Sequence, residues 1–412
     1  MRILLKMVDW TSESSRRAEP GMASGLNLRQ SGWRFASRLI FAAIFIAFMN
    51  VSFMSQSLAA QQAPADFDQV SQSAASARDA NDIPHAIDLY KQGVQLNPAW
   101  AEGWWYLGVL QYGANDFAAA RDALSHLIEL SPQSGPAIAL RGLCEFETAE
   151  YPQSMNDIRQ GMKMGAASNP HNGSILRYHE ALLLAHFGDP ESALIRYAFF
   201  AHGPPPDPEV VMAAGMAGLR ISLLPKDVGA DAPERELYNA AGKAALTFMS
   251  GNKAGARQQF QDLFARFPTA ANAHYLYGYL LFGEDPANAI PEFTRELEVQ
   301  PANSAAETML GWSYLMQEDY PRARDHGAKA VEEAPQLAAA QLVLGRSLVE
   351  TGDLKAGLEH LEKALSMQPD NIEIHLALVR AYSKAGRKEE ARLERLKCLE
   401  LNDHAETAVA QP

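Results

Sequence analysis

Cysteine is nearly missing from this 412-residue chain: Cys144 and Cys398 are the only two. A pair so far apart makes no disulfide framework. Positive charge is scarce as well. The formal net charge is −13, which argues against a nucleic-acid partner, since such partners need clustered positive charge. Catalytic signatures are missing too. There is no Gly-x-Ser-x-Gly and no Gly-x-Gly-x-x-Gly. Gly242-Lys243 lacks the earlier glycine of a phosphate loop, and Ala244 stands where a Ser or Thr would bind magnesium. His179-Glu180 begins a zinc-protease pattern, but Leu183 occupies the place of its second histidine. His186 shares a helix face with His179, yet no third ligand accompanies them. The expectation is no catalytic residue, no metal site, no cofactor and no small-molecule substrate.

What the chain has instead is a recurring skeleton. Between Ala101 and Pro132 stand Trp104, Leu107, Gly108, Ala120 and Pro132. The same spacing of small residues returns about every 34 residues. Nine repeats result, 67–100, 101–134, 135–168, 174–207, 237–270, 271–303, 304–337, 338–371 and 372–405. The third is degenerate, with Ser154 and Ala166 at its later anchors, and the sixth is one residue short. Turn signals divide each repeat into two helices: Asn115-Asp116, Gly188-Asp189, Gly251-Asn252, Gly352-Asp353, Ala385-Gly386. Small residues such as Gly108 and Ala120 belong where the helices cross. A terminal proline ends most repeats, because it cannot continue a helix. One pair cannot bury its own apolar face, so neighbours must stack. Four prolines within 203–208 interrupt the pattern, and 208–224 then reads as one apolar helix. That predicts a helical joint over 208–236 between two arrays, 67–207 and 237–405, with 406–412 as a tail.

The first sixty residues differ in kind. Arg34 and Arg38 precede an apolar run from Leu39 to Met54, followed by Ser57-Leu58-Ala59-Ala60. Basic flank, apolar stretch and small-residue exit predict a secretory signal peptide. The run is short of the ~20 residues of a spanning helix. The alternative is an uncleaved anchor, with 39–54 as a membrane tether. Both place the repeats outside the cytoplasm, in the periplasm or beyond, or on the inner membrane. Met1–Gly21 is an upstream extension, with Met22 as a second candidate start. Without residues 1–60 the chain keeps 29 basic and 46 acidic residues, so the exported part is more acidic still. No cysteine follows the run closely, which removes a lipoprotein.

The skeleton resembles the tetratricopeptide repeat. That resemblance implies an all-α, right-handed superhelical solenoid of about nine antiparallel helix pairs. It also implies a scaffold that binds a protein or peptide in a concave groove lined by first-helix side chains. Carried over residue by residue, it nominates Trp105, Val109 and Tyr112 in the second repeat, Phe146 in the third and Tyr178 with Leu182 in the fourth. The sixth offers Tyr275, Tyr279 and Phe282, and the seventh Thr308 and Trp312. The last two offer Arg346 and Arg380 at matching slots. The fifth departs, with Ala241 and Ala245. Aromatic and arginine side chains carry most interface energy, and matched arginines suit a carboxylate. The competing reading is that the aromatics are core between repeats and the arginines are salt-bridged at home. The chaperone-binding clamp of this family is not transferred, because Ser71, Ala75, Trp105 and Val109 stand at its slots. His274 and His375 fill the slot of Trp104, while His326 and His360 share a second-helix slot, so the repeat explains them. Cys398 takes the slot of Ala330 and Ala364. Two functions follow: an exported, non-catalytic adaptor, or a structural subunit of an envelope assembly acting through its convex face or end repeats.

Overall fold

The structure, a computed structural model, describes residues 65–410, with side chains from 67 to 402. The signal segment, the tether at 39–54 and the last two residues lie outside this range. Two compact bodies divide after Leu183. The expected joint, 208–236, lies inside the second.

The first body holds α1 (Ala65–Asp79), α2 (Ile83–Leu96), α3 (Ala101–Gly113), α4 (Phe117–Leu130), α5 (Gly135–Glu147) and α6 (Tyr151–Gly161). The division falls within α7 (Pro170–His186). The second body continues with α8 (Pro190–Tyr197), α9 (Pro208–Gly218), α10 (Glu234–Met249), α11 (Lys253–Arg266), α12 (Ala273–Phe282) and α13 (Pro286–Val299). It ends with α14 (Ser304–Met316), α15 (Tyr320–Glu333), α16 (Ala338–Thr351), α17 (Leu354–Met367), α18 (Ile372–Lys384) and α19 (Lys388–Ala410). No strand forms among the described residues. Within each body, sequential helices pack as pairs and neighbouring pairs pack on one another.

The turn inside most pairs is built one way. A residue in the left-handed region ends the first helix, and in five of these pairs a side-chain cap starts the second, while Asp82 and Glu150 make no such cap. Gly188, Gly251, Gly352 and Gly386 take that place with φ from 73° to 99°, while Asn81, Asn115, Ala149 and Glu318 take it at 58° to 64°. Glycine suits it because a Cβ crowds the backbone there. Asp116, Asp189, Asn252, Asp319 and Asp353 then accept from a backbone N–H three residues on, which satisfies one orphan donor of the second helix. The sixth repeat loses its residue here. Gly283 stays right-handed (φ −65°), and Asp285 caps α13 from an extended conformation.

Small residues meet at every crossing. Ala86, Ala120, Ala193, Ala256, Ala289 and Ala323 are fully buried at one second-helix slot. Ser154 stands there in the degenerate third repeat, and its hydroxyl donates to the Gly142 carbonyl at 2.7 Å. Ala166, in place of a proline, ends that repeat through a wide turn over Met162–Ala166, with Gly165 at φ 84°.

The histidines find partners inside their own repeats. His274 hydrogen-bonds Glu292 at 2.8 Å, and His375 hydrogen-bonds Glu394 at 2.5 Å. His326 hydrogen-bonds Glu307 at 2.5 Å, and the Nδ1–H of His360 donates to Gln341 Oε1 at 2.6 Å. Trp104 lies on His126 with ring centroids 4.5 Å apart. The four histidine contacts use one pair of slots, first helix to second, whereas Trp104 meets a histidine three residues further along its second helix. That pair joins the two histidine slots that the sequence leaves separate.

The expected joint is the tightest crossing. A Cβ on Gly242 would lie 1.8 Å from the Val211 carbonyl oxygen, and one on Gly215 would lie 1.8 Å from that of Tyr238. Helices α9 and α10 therefore touch backbone to backbone. Ala241 and Ala245 are buried against Met212 and Met216 in this core, which is why the fifth repeat has alanine where others carry aromatics. Gly242→Ala is expected to destabilise by about 1–3 kcal/mol and to speed amide exchange in α9 and α10. Gly108→Ala, which meets only the side-chain tip of Leu124 and a more distant carbonyl, should do less. Equal protection in wild type and Gly242→Ala would refute the close crossing.

Candidate functional site

In the first body the nominated residues divide by burial. Val109 and Phe146 are 7% and 3% exposed, so they are core and leave the list of groove residues. Leu182 is likewise buried. Trp105 is half-buried against the cluster around Tyr90. Tyr112 meets Phe117 edge-on at 5.3 Å, and burial pushes its phenol well up. Tyr178 meets His179 edge-on at 5.5 Å. The Nδ1–H of His179 donates to the Ile175 carbonyl, and in the second body that of His186 donates to the Ser222 carbonyl. No group of three His, Cys, Asp or Glu suited to a metal occurs among the described residues. Cys144 and Cys398 are free and buried.

The second body places its aromatics differently. Tyr275 is 4% exposed and also leaves the list. Its hydroxyl donates to Glu191 at 2.6 Å, and Arg220 ion-pairs with the same carboxylate. That buried O–H needs a partner to be tolerated. Thr308 is buried, its hydroxyl donating to the Ser304 carbonyl. Tyr279 stacks on Tyr275, and its phenol is pushed up to about 12 by burial and by Glu191.

Tyr279 nevertheless keeps one face on an open apolar trough of about 630 Å³. Leu194 and Leu280 are its buried part. Tyr279, Phe282, Met309 and Trp312 line it from α12 and α14, and Met249 from α10. Ile195 is 61% exposed and Met316 49% exposed along it. Sequence reasoning reached Tyr279, Phe282 and Trp312 but missed the residues of α8 and the methionines. A signal existed: Ala193, Leu194 and Tyr197 already fill the buried face of α8, so Ile195 is apolar on the wrong side.

The two matched arginines part company. Arg380 pairs with Glu350 at 2.5 Å, as does Lys384 at 2.6 Å. Burial raises the Glu350 carboxyl, but these hydrogen bonds outweigh it and hold it below the usual range. Arg346 instead lies 4.9 Å from the centroid of Trp312. Burial, helped by Arg380, pulls its guanidinium below the usual arginine value, against the pull of Glu373. A smaller recess of about 180 Å³, lined by Arg346, Arg380, Glu350 and Met316, adjoins it.

With this geometry in place the chain can be set beside known proteins. Sequence models of the tetratricopeptide repeat match residues 72–135, 279–338 and 348–394. These segments of the chain are tetratricopeptide repeats. The chain is accordingly a protein-interaction scaffold, of a fold that is typically non-catalytic. No curated protein matches it. Among solved structures, a crystal structure of MamA protein is 20% identical over 40% of this chain and 92% of its own, with a TM-score of 0.36. MamA 41-end from Desulfovibrio magneticus RS-1 is 20% identical over 43% and 98%, with a TM-score of 0.37.

One buried group in the first body escaped the sequence reading. Glu145 on α5 is 6% exposed beside Asp157 of α6. Arg141 donates to Asp157 at 2.6 Å and stays 3.8 Å from Glu145. Burial, then the Asp157 charge, raises the Glu145 carboxyl to about 7. A carboxyl raised above its unfolded value stabilises the fold while protonated, and loses that contribution as pH rises. Local stability of α5 and α6 should therefore fall between about pH 4.3 and 7. Glu145→Gln should flatten the dependence, read as amide exchange at pH 5 against pH 8. An unchanged slope in the variant would count against the assignment.

Proposed function

We propose that this chain is an exported, non-catalytic adaptor that holds a protein segment in the apolar trough of its second body. The observation that carries the reading is the trough itself. Tyr279, Phe282, Met309, Trp312 and Met316 present contiguous apolar surface, with Ile195 and Met316 largely exposed. A concave apolar surface with a few polar groups at its rim is the usual form of a binding site. Trp312 and Tyr279 are of the residue types that anchor interfaces. Methionines add adaptable, polarisable contacts that suit a site tolerant of more than one sequence. Trp105, Tyr112 and Tyr178 remain candidates for a contact surface on the first body.

Export rests on the leader pattern of 34–60, with the mature chain starting at Gln61. A photo-crosslinking residue at Ile195 or Met316 is expected to capture a partner from envelope fractions. The same residue at Lys355, which is exposed on α17, should not. The chain that carries the crosslinker should begin at Gln61. Equal capture at all three sites would remove the trough from the reading, and recovery from the cytosol with residues 1–60 intact would remove export.

A second reading has its own observation. Leu393, Leu396 and Leu399 on α19 are 58%, 48% and 57% exposed. This helix is charged over much of its surface, yet it leaves these three leucines exposed. That favours a structural subunit joined through its end repeat. Size-exclusion with light scattering separates the readings: a stable oligomer that Leu396→Glu dissociates supports the second, and a monomer at all concentrations removes it.

A further inference from the structure

The trough is apolar along its length but borders on a charge. Arg346 is half-buried at its side, on the face of Trp312. Among the described residues it makes no hydrogen bond and no ion pair. The neighbouring carboxylates leave it so for identifiable reasons. Both oxygens of Glu350 are engaged, one by Arg380 and one by Lys384. Glu373, on the rim of the trough, acts on Arg346 only through space.

A guanidinium carries five donors in a rigid fork that matches a carboxylate. Removed from much of its water and given no anion, it is held in an unfavourable state. Stacking on Trp312 offsets only part of this, since a ring face attracts the cation but supplies none of its missing hydrogen bonds. An incoming carboxylate restores the missing hydrogen bonds, and it does so in a half-desolvated setting where charge-assisted bonds are strong. The chain as a whole repels an acidic partner at long range, with its net charge of −13. Recognition of acid at this one position is thus short-range and selective.

Resting on the reading of the trough as the docking site, we propose that its occupant is a protein segment with large apolar side chains on one face and an Asp or Glu side chain placed to pair with Arg346. A side chain, rather than a chain terminus, is indicated by Met316. That residue lines both the trough and the recess beyond Arg346, so open space continues past the arginine and a bound chain need not end there.

The test uses a phage library of random twelve-residue peptides displayed ahead of the coat protein, so that no peptide carboxyl terminus is free. It is panned on the full chain as wild type, Arg346→Met and Met316→Glu. Wild type is expected to enrich peptides with an acidic residue at a fixed distance from two or more large apolar ones. For a synthetic copy of the best peptide, changing that acid to its amide should weaken binding at least tenfold on wild type and less than twofold on Arg346→Met. Arg346→Lys should keep the preference at reduced strength. If the acid-to-amide ratio is the same on wild type and Arg346→Met, or if the enriched peptides have no acidic position, the proposal is overturned while the trough stands. If enrichment is unaffected by Met316→Glu, or no peptide is enriched, the trough reading fails and the proposal with it. Because the ratio is measured within each variant, a small loss of stability in Arg346→Met does not imitate the result.

Discussion

Everything in this chain depends on how closely two helices can approach. Dispersion between packed atoms falls away within an ångström of separation, so a pair of helices is held by whichever residues let the backbones meet. Here these are one small residue from each helix. Gly108 receives Leu124, Gly278 receives Phe293 and Gly345 receives Leu361, with the partner side chain under 3 Å from where a Cβ would be. Once the crossing is fixed, the large residues beside it have one place to go. Tyr90, Tyr197, Phe260 and Phe293 are nearly or fully buried as a result. The left-handed turn and the capping Asp or Asn set the length of the link, so the same crossing can recur. The sixth repeat shows how the constraint acts: it drops the left-handed residue and still closes, because Asp285 caps α13 from an extended conformation.

The crossing also explains what the first helices can offer. Their inner stripe is committed to the partner helix, and most of what remains is committed to the next repeat. That is why Val109, Phe146 and Tyr275, which alternate with true core residues in sequence, are core as well. Surface becomes available where the neighbour is small or displaced. Around Tyr279 and Trp312 that condition is met, and α8 adds Ile195 from a face its own core does not need.

Much of this was legible in the sequence, and the rest was withheld for physical reasons. Recurrence of small residues and turn signals gave the helix pairs, because local propensity and spacing agree there. The Trp104 slot and the His326 slot were each visible as positions, but their contact across the pair was not. It depends on a crossing angle that periodicity does not encode. The apolar helix expected over 208–224 was legible as apolar but stops at Gly218, with Arg220 in the left-handed region just beyond, and its backbone contact with α10 rests on Gly215 and Gly242, two glycines among many. The arginines were the hardest case. Arg346 and Arg380 hold equivalent slots, and only the placement of Glu350 and Lys384 decides which of them is neutralised.

That contrast between equivalent positions bears on where an otherwise apolar scaffold keeps its unsettled charge. Glu145 and Arg346 are both desolvated and both lack full compensation, yet their surroundings differ. Glu145 sits between α5 and α6 with one oxygen buried and unpartnered. A sealed carboxyl has one economical response, which is to hold a proton, so its strain is relieved internally and expressed as a dependence on pH. Arg346 cannot respond in that way, since a guanidinium keeps its proton throughout the accessible range. Its remaining route is an anion from outside, and it borders on open space through which one can arrive. The chemistry of each group, together with whether its site is closed or open, thus separates a charge that tunes the fold from one that is available to a partner.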